Sequence, residues 1–411
     1  MPSASDVTVV GGGPAGLAAA TRMKRLGVRS VTVIDREDEA GGIPRHCGHY
    51  PFGLREFQRV LRGPDYARRL VARAEAAGVQ ILRGTTVVGL APGPRLTLST
   101  SEGLSEAGAR RVLLATGVRE TSRAARMIGG ARPLGVVSTG ALQSLVYLAG
   151  KRPFRRPVIL GSELVSFSAL LTCRHAGIRP VAMVEPGARI TARGFAAALP
   201  RLLGVPLHLN CELQAIHGGP RVEGVTLRLA DGSLRQVETD GVIVTGGFTP
   251  EATLCRLGHL ALDAGSGGPE VDQFGRCSDP GFFAAGNLLR PVETAGWSWR
   301  EGDAAGKAIV ADIIGELPSP ERFVRIVADH PALKFALPQR VVLPLWSSGT
   351  KQLQLRLTRP VQGRLTARDA QGPLWQKPLA ALPERRVLLP LAGFIDRVRG
   401  DTLTLSIEED R

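Results

Sequence analysis

The sequence predicts an α/β chain with two doubly wound, dinucleotide-binding-type domains and a small all-β domain towards its C-terminus. Three observations carry that expectation. A glycine-rich turn, Gly11 to Gly16, lies between a strand and a helix. A second strand–loop–helix–strand unit of matching order follows about 150 residues later. Past Pro338 the pattern changes to short strands separated by turns. The expected domains are residues 1–120 with 251–335, a discontinuous nucleotide-binding unit; residues 121–250, a second unit of the same type; and residues 336–411, the β domain.

In the first unit, Val7 to Val10 is a short apolar strand, Ala15 to Leu26 has helical spacing, and Val31 to Ile34 is the second strand. A Gly- and His-rich loop, Gly41 to Gly53, precedes an amphipathic helix at Asp65–Ala77 and a strand at Gln80–Leu82. Thr86–Leu90 and Leu96–Ser99 read as a hairpin inserted before the strand Arg111–Ala115. The second unit has a strand at Val158–Leu160, a helix over Ser162–Ala176 and a strand at Pro180–Glu185. Hairpin strands over Leu207–Ile216 and Val225–Leu229 and a closing strand at Gly241–Thr245 complete it. The β domain is expected to hold five strands: Arg340–Trp346, Gln352–Leu357, Arg364–Arg368, Arg386–Leu391 and Thr402–Ile407. Leu353, Leu355 and Leu357 alternate with polar residues, the period of a half-buried sheet.

Gly11-Gly12-Gly13-Pro14-Ala15-Gly16 satisfies G-x-G-x-x-G in the context that gives the pattern its meaning. Gly11 makes the tight turn, Gly13 lets a pyrophosphate approach the backbone, and Gly16 lets helix and strand pack closely. The helix N-terminus then offers free N–H groups to the phosphates. Asp35, at the end of the second strand, is placed to accept from ribose hydroxyls. The equivalent loop of the second unit reads Gly161-Ser162-Glu163-Leu164-Val165-Ser166. Glu163 stands where a pyrophosphate would touch backbone, so this unit is expected not to use NAD(P)H. Glu185 is placed to suit a ribose and is equally an ordinary strand-end acid.

The formal net charge is +15, almost all of the positive charge arginine, yet aromatics are only 5% and no basic cluster alternates with them. Nucleic-acid binding is therefore not expected, and an acidic partner is a better match for the charge. No apolar run reaches the length of a membrane span. Met1 to Asp6 reads as a short polar lead with no signal peptide, and the five cysteines form no C-x-x-C. Neither a disulfide framework, nor a zinc site, nor an iron–sulfur cluster is written in this chain, so a reduced, cytoplasmic enzyme without a metal is expected.

Two later segments refine the reading. Val112-Leu113-Leu114-Ala115-Thr116-Gly117 resembles the A-T-G segment of two-dinucleotide-binding-domain flavoproteins. Phe282-Phe283-Ala284-Ala285-Gly286-Asn287 resembles their closing FAD motif, which usually ends in Asp where Asn287 stands here. The chain thus resembles FAD oxidoreductases of the pyridine nucleotide–disulfide oxidoreductase type, which implies a glutathione-reductase-like fold with two Rossmann-like domains. It implies one FAD held by Gly11, Gly13, Pro14, Ala15, Gly16, Asp35, Arg36, Gly42, Ile43, Val88, Ala115, Thr116, Gly117, Gly286 and Asn287. The segment Trp297, Trp299, Arg300 and Glu301 implies a helix whose N-terminus faces the flavin.

The loop Gly41-Gly42-Ile43-Pro44-Arg45-His46-Cys47-Gly48-His49, followed by Phe52-Gly53, is similar to a narrower group. These are flavoprotein subunits of heteromeric amine and amino-acid dehydrogenases, such as opine oxidase, hydrogen cyanide synthase and multi-subunit proline and hydroxyproline dehydrogenases. That resemblance implies oxidation of an amino acid, imino acid or related amine, with electrons leaving for a non-nicotinamide acceptor. It also implies two partners, a second flavoprotein and a small 2Fe–2S protein, which the β domain and the arginine-rich surface are expected to contact. His46, Cys47 and His49 are the candidate catalytic residues, although a packed thiol and loop-shaping histidines suit the same positions. Two other functions fit the residues: a stand-alone NAD(P)H-dependent flavin oxidoreductase, and a non-catalytic FAD electron-transfer scaffold.

Overall fold

Six consecutive strands and the later strand Phe282–Ala284 build the first sheet, and their order follows from where the apolar runs sit. In the computed structural model, which describes residues 5–291, 293–320, 322–346 and 348–410, strands β1 (Ser5–Val10) and β2 (Val31–Ile34) pair in parallel. β3 (Gln80–Leu82) extends that edge, and β6 (Gly103–Leu114) pairs with β1 on the other side. Val7, Val9, Val33 and Leu113 are fully buried, the near-continuous apolar character of a parallel sheet covered on both faces. β4 (Thr86–Ala91) and β5 (Arg95–Thr100) form the expected hairpin. The strand after it is longer than expected: the first half of β6 pairs antiparallel with β5, and its second half runs beside β1 and Phe282–Ala284.

Helix α1 (Pro14–Arg25) starts with proline at its first turn, where no N–H is needed, and ends on Arg22, Lys24 and Arg25, which suit the helix dipole. It packs against α2 (Gly63–Ala76) and α4 (Ala295–Ile313). Gly302 sets the α1–α4 approach, since a Cβ there would drive into the Ala15 carbonyl.

The second unit repeats the arrangement. Pro157–Leu160, Ala182–Val184, Leu207–His208, Gly241–Val244 and Val136–Ser138 form a wholly parallel five-stranded sheet covered by helix α3 (Leu164–His175). The expected hairpin strand over Leu207–Ile216 divides here. Its start joins the parallel sheet, and Glu212–His217 joins a separate sheet with Gly224–Arg228 and the unexpected strand Leu234–Glu238. Val118–Glu120 and Phe248–Pro250, an antiparallel pair, carry the chain out of the first unit and back. The expected boundaries at 120 and 250 fall on this pair.

The β module differs from expectation in size and start. Eight strands make two sheets around one core that includes Val341, Leu353, Leu355, Leu389, Phe394 and Leu405. Phe323–Ala328, Leu333–Leu337 and Gly372–Ala381 are the strands the pattern did not mark. The module therefore begins before 336. It is not an independent appendage, because Phe335 and Leu337 pack into the core of the first unit with Val112, Val271 and Phe282. Met1–Ala4, most of the expected polar lead, lie outside the described residues. No helix among the described residues is long and apolar enough to cross a membrane, and none of their His, Cys, Asp and Glu side chains gather in threes that could hold a metal.

Candidate functional site

The glycine turn is shaped by contacts within the chain. Gly11 has φ +108°, and a side chain there would strike the Ala115 carbonyl; one at Gly16 would strike the Gly11 carbonyl. Gly13 is different. Its φ is −82°, and the nearest atom a Cβ would meet is Gly42 Cα at 3.9 Å, so space lies open before the start of α1. Gly42 (φ +65°) and Gly286 (φ +77°) close round the same place, the latter against the Ala15 side chain, while Gly117 (φ +76°) has nothing within 4 Å. Ser298 Oγ is buried near Gly286 without a hydrogen-bond partner. An open cradle of backbone at a helix N-terminus, with a buried hydroxyl left unpaired, fits a dinucleotide cofactor.

The other expected cofactor residues divide into two groups. Pro14, Ala15 and Ala115 line the turn, and Ile43 is exposed at 55%, an apolar side chain beside Gly42 with no protein cover. Thr116 Oγ1 donates to the Glu251 carbonyl at 2.8 Å. Asp35 accepts from Gly12 N at 2.9 Å and from Glu37 N at 3.0 Å, so it buttresses the turn itself. Burial raises its pKa above the ordinary carboxylate value, against the pull of those two N–H groups. Arg36 is exposed and reaches Glu37 at 3.5 Å. Val88 points outward from the hairpin, 43% exposed, while its neighbour Val87 fills the core.

Asn287 has bonds within the chain that its motif does not signal. Its Nδ2 donates to the Glu293 carbonyl and its Oδ1 accepts from Glu293 N, both at 3.0 Å, so the amide closes a loop of its own backbone. That loop presents Glu293, which sequence reasoning missed. Glu293 accepts from Gln354 at 2.9 Å, from Arg356 at 2.5 Å and from Arg386 at 3.0 and 2.5 Å, all three from the β module. Arg386 also lies over the Trp297 ring at 3.7 Å, with Arg55 over the same ring at 4.0 Å. Glu301 pairs with Arg290 and accepts from Gly286 N at 3.1 Å, while Trp299 packs into the core beside α1. The β module is thus fastened to the segment between the closing motif and α4. Burial alone would raise the Glu293 pKa, but bonds from Arg386 and Gln354 and the charge of Arg356 hold it below the ordinary value of 4.5.

That depressed pKa fixes a pH dependence. The carboxylate contributes full stability above the unfolded value and loses it as pH falls through the lower folded one. Glu293→Gln leaves Arg356, 3% exposed, without its counter-charge and is expected to cost about 3 kcal/mol at pH 7. Thermal melts of wild type and variant should converge below pH 4.5; curves that stay parallel would refute the assignment.

The three candidate catalytic residues are turned inward. Cys47 is 8% exposed, with Sγ 3.5 Å from Gln143 Oε1, and burial followed by the charge of Glu120 pushes its thiol up to about 12. Burial and the adjacent Arg45 lower His46, whose Nδ1 is buried without a partner. His49 bonds Ser168 on α3 through Nε2 and the Tyr50 carbonyl at 3.0 Å through Nδ1, and burial lowers its pKa too. The loop therefore joins the two nucleotide-type units, and a reactive thiolate is not what its packing favours. With its thiol pushed up to about 12 and shielded by burial, Cys47 should alkylate far more slowly in the folded protein than in the unfolded chain. Peptide mapping after iodoacetamide treatment checks this, and early labelling of Cys47 would reject it.

In the second unit Glu163 Oε1 accepts from Gly247 N at 2.7 Å, and burial raises its pKa. Ser162 Oγ bonds Glu185 and accepts from Thr191 N at 2.8 Å, and Glu185 accepts from Gly187 N at 2.9 Å. Ser166 Oγ meets Thr245 Oγ1 at 2.5 Å. Both Glu185 oxygens are thus taken within the protein, while Glu163 holds Gly247 N through Oε1 and leaves Oε2 buried without a partner.

Comparison with known proteins agrees with this geometry at the level of family. Residues 5–302 match the family model described as pyridine nucleotide-disulphide oxidoreductase. A putative glutamate synthase [NADPH] small chain from Cereibacter sphaeroides is 26% identical over 348 residues, covering 74% of this chain and 76% of that protein. One of the opine oxidase subunits of Rhizobium meliloti is 26% identical over 316 residues, covering 69% of this chain and 58% of that one. Among solved structures, thioredoxin reductase from T. acidophilum superposes with a TM-score of 0.64 at 22% identity, over 75% of this chain and 98% of that one. The chain belongs to the pyridine nucleotide–disulphide oxidoreductase family and is an FAD-binding flavoprotein of the Rossmann-like α/β class.

Proposed function

We propose that the chain is the FAD-bearing subunit of a heteromeric dehydrogenase or oxidase acting on an amino acid, imino acid or related amine, with electrons passing to a non-nicotinamide acceptor. The observation that carries the reading is Glu163. Its carboxylate takes the Gly247 N–H in the very loop where the family places a nicotinamide dinucleotide, so the usual electron donor loses its seat. Cys47 is the one cysteine of the loop Gly41 to Gly53 and is buried, which disfavours dithiol chemistry at that loop. The similarity to the opine oxidase protein supports the substrate class and a multi-subunit assembly. A second flavoprotein and a small 2Fe–2S protein are the proposed partners, and a basic surface suits acidic ones.

In this reading Gly11, Gly13, Pro14, Ala15 and Gly16 hold the pyrophosphate, Asp35 keeps the turn in shape, and Gly42, Ile43, Thr116, Gly117 and Gly286 line the rest of the cofactor. FAD, when bound, supplies two-electron acceptance. The start of α4, with its free backbone N–H groups and the unpaired Ser298 hydroxyl near Gly286, would help hold the bound cofactor and favour negative charge on it when reduced. Asn287 acts by holding the Glu293 loop. The inward packing of His46, Cys47 and His49 favours a second reading, in which a partner performs all substrate chemistry and this chain relays electrons. Anaerobic mixing of the isolated holoprotein with amino acids, imino acids and opines separates the two. Bleaching of the flavin supports direct oxidation. Bleaching only in the reconstituted complex supports the relay, and no bleaching in either rejects the substrate class.

A further inference from the structure

Between the strands Gly372–Ala381 and Val387–Pro390 of the β module, residues 382–386 leave the module and cross to both nucleotide-type units. Arg386 grips the first, through Glu293 and the Trp297 ring. Arg385 reaches the second, where its Nη2 donates to the Thr191 carbonyl at 3.1 Å. Thr191 and Ala192 in turn bond Ser162 from their backbone N–H groups, at 2.8 and 2.9 Å. Arg385 therefore rests on the segment folded over the degenerate glycine loop, at the N-terminus of α3. Glu384 is fixed between them, by Lys334 at 2.7 Å and by Arg356, which donates to its carbonyl at 3.0 Å.

We infer that residues 382–386 are a specificity-determining strap that, together with Glu163, closes the second unit's glycine loop against dinucleotides. The placement is what counts. A dinucleotide on the second unit must lay its pyrophosphate at Gly161–Glu163 and reach from there towards the flavin cradle. The strap is tied at both ends of that course. It also brings the Glu384–Lys334 ion pair towards Glu163, where the charge of Glu384 opposes that of Glu163 and Lys334 and Arg126 offset it, so the strap's barrier is the backbone it lays across the course and Glu163 is the acid an incoming pyrophosphate would meet. This inference rests on the reading that the electron donor is not a nicotinamide nucleotide, and it adds that two barriers, one from each side of the cleft, enforce it.

Calorimetric titration of the FAD-loaded protein with ADP-ribose tests occupancy of the loop without any redox step. Wild type should bind no measurable ADP-ribose. Glu163→Gly alone should remain weak, because the strap persists. Glu163→Gly combined with Glu384→Ala and Arg385→Ala should bind at least tenfold more tightly than Glu163→Gly alone. Equal affinity of the single and triple variants would overturn the strap, and so would a triple variant that binds nothing while its melting temperature and flavin content match wild type. The amine-dependent bleaching experiment is untouched by any of these variants, so failure of the strap and failure of the proposed function are read separately.

Discussion

Gly13→Val is expected to leave a folded protein that cannot keep its flavin. The neighbouring glycines cannot give so clean a result. A side chain at Gly11 or Gly16 runs into backbone carbonyls inside the turn, so those variants should fail to fold locally, and colour would be lost for an uninformative reason. At Gly13 the backbone is extended, a conformation valine adopts without strain, and a Cβ there would meet its nearest atom, Gly42 Cα, at 3.9 Å. The space a valine would fill is the space the pyrophosphate needs. Losing close approach to the helix N-terminus should weaken FAD by at least about 100-fold, or about 2.7 kcal/mol. The apoprotein's melting temperature should fall only by what a poorer N-cap costs, about 1 kcal/mol or less. Flavin absorbance per chain after gel filtration, read beside the apoprotein melt, decides it. A Gly13→Val protein that retains one FAD per chain would mean that the cofactor does not use this turn.

The glycine turn was legible because its requirements are local. Each of Gly11, Gly13 and Gly16 answers to atoms within one strand–helix unit, and the spacing alone encodes them. The strands that escaped notice share the opposite property. Leu234–Glu238 and Gly372–Ala381 lie at sheet edges, with one side unpaired and several polar side chains exposed, so neither shows a regular buried face. Phe323–Ala328 does alternate, but it directly follows the nucleotide-binding unit, and its partner Thr402–Leu405 lies nearly eighty residues on. The Glu293 cluster was invisible for the same reason. An acid after a flavin motif and an arginine 93 residues later carry no signal that they meet. The second use of Asn287 was hidden by its chemistry, since an amide that can bond a cofactor can also close its own loop. His46, Cys47 and His49 were singled out for residue type. Only the fold could show that their loop joins two units, with Cys47 buried and the two histidines half-buried.

NADH and NADPH are expected not to reduce the flavin of the wild-type holoprotein, although the family takes its name from that exchange. The fold of the second unit persists because Ser166 is small enough for the helix to approach the sheet, and it is held there by Thr245. What is lost is the seat. Glu163 begins α3 with its own negative charge, which the helix dipole favours, and it holds Gly247 N as well. A pyrophosphate would have to displace that bond and sit beside a carboxylate from which water is largely excluded. Like-charge contacts of this kind cost several kcal/mol, and about 3 kcal/mol already lowers affinity by more than 100-fold. Glu185, the one acid suitably placed for a ribose, spends its oxygens on Ser162 and Gly187 N. Anaerobic titration with either nucleotide at sub-millimolar concentration should therefore leave the oxidised flavin spectrum unchanged over minutes, while dithionite bleaches it fully. Bleaching within seconds would overturn the argument at its root. It would show that a dinucleotide can displace Glu163 from Gly247, and an NAD(P)H-dependent flavin oxidoreductase would take the place of the amine dehydrogenase subunit.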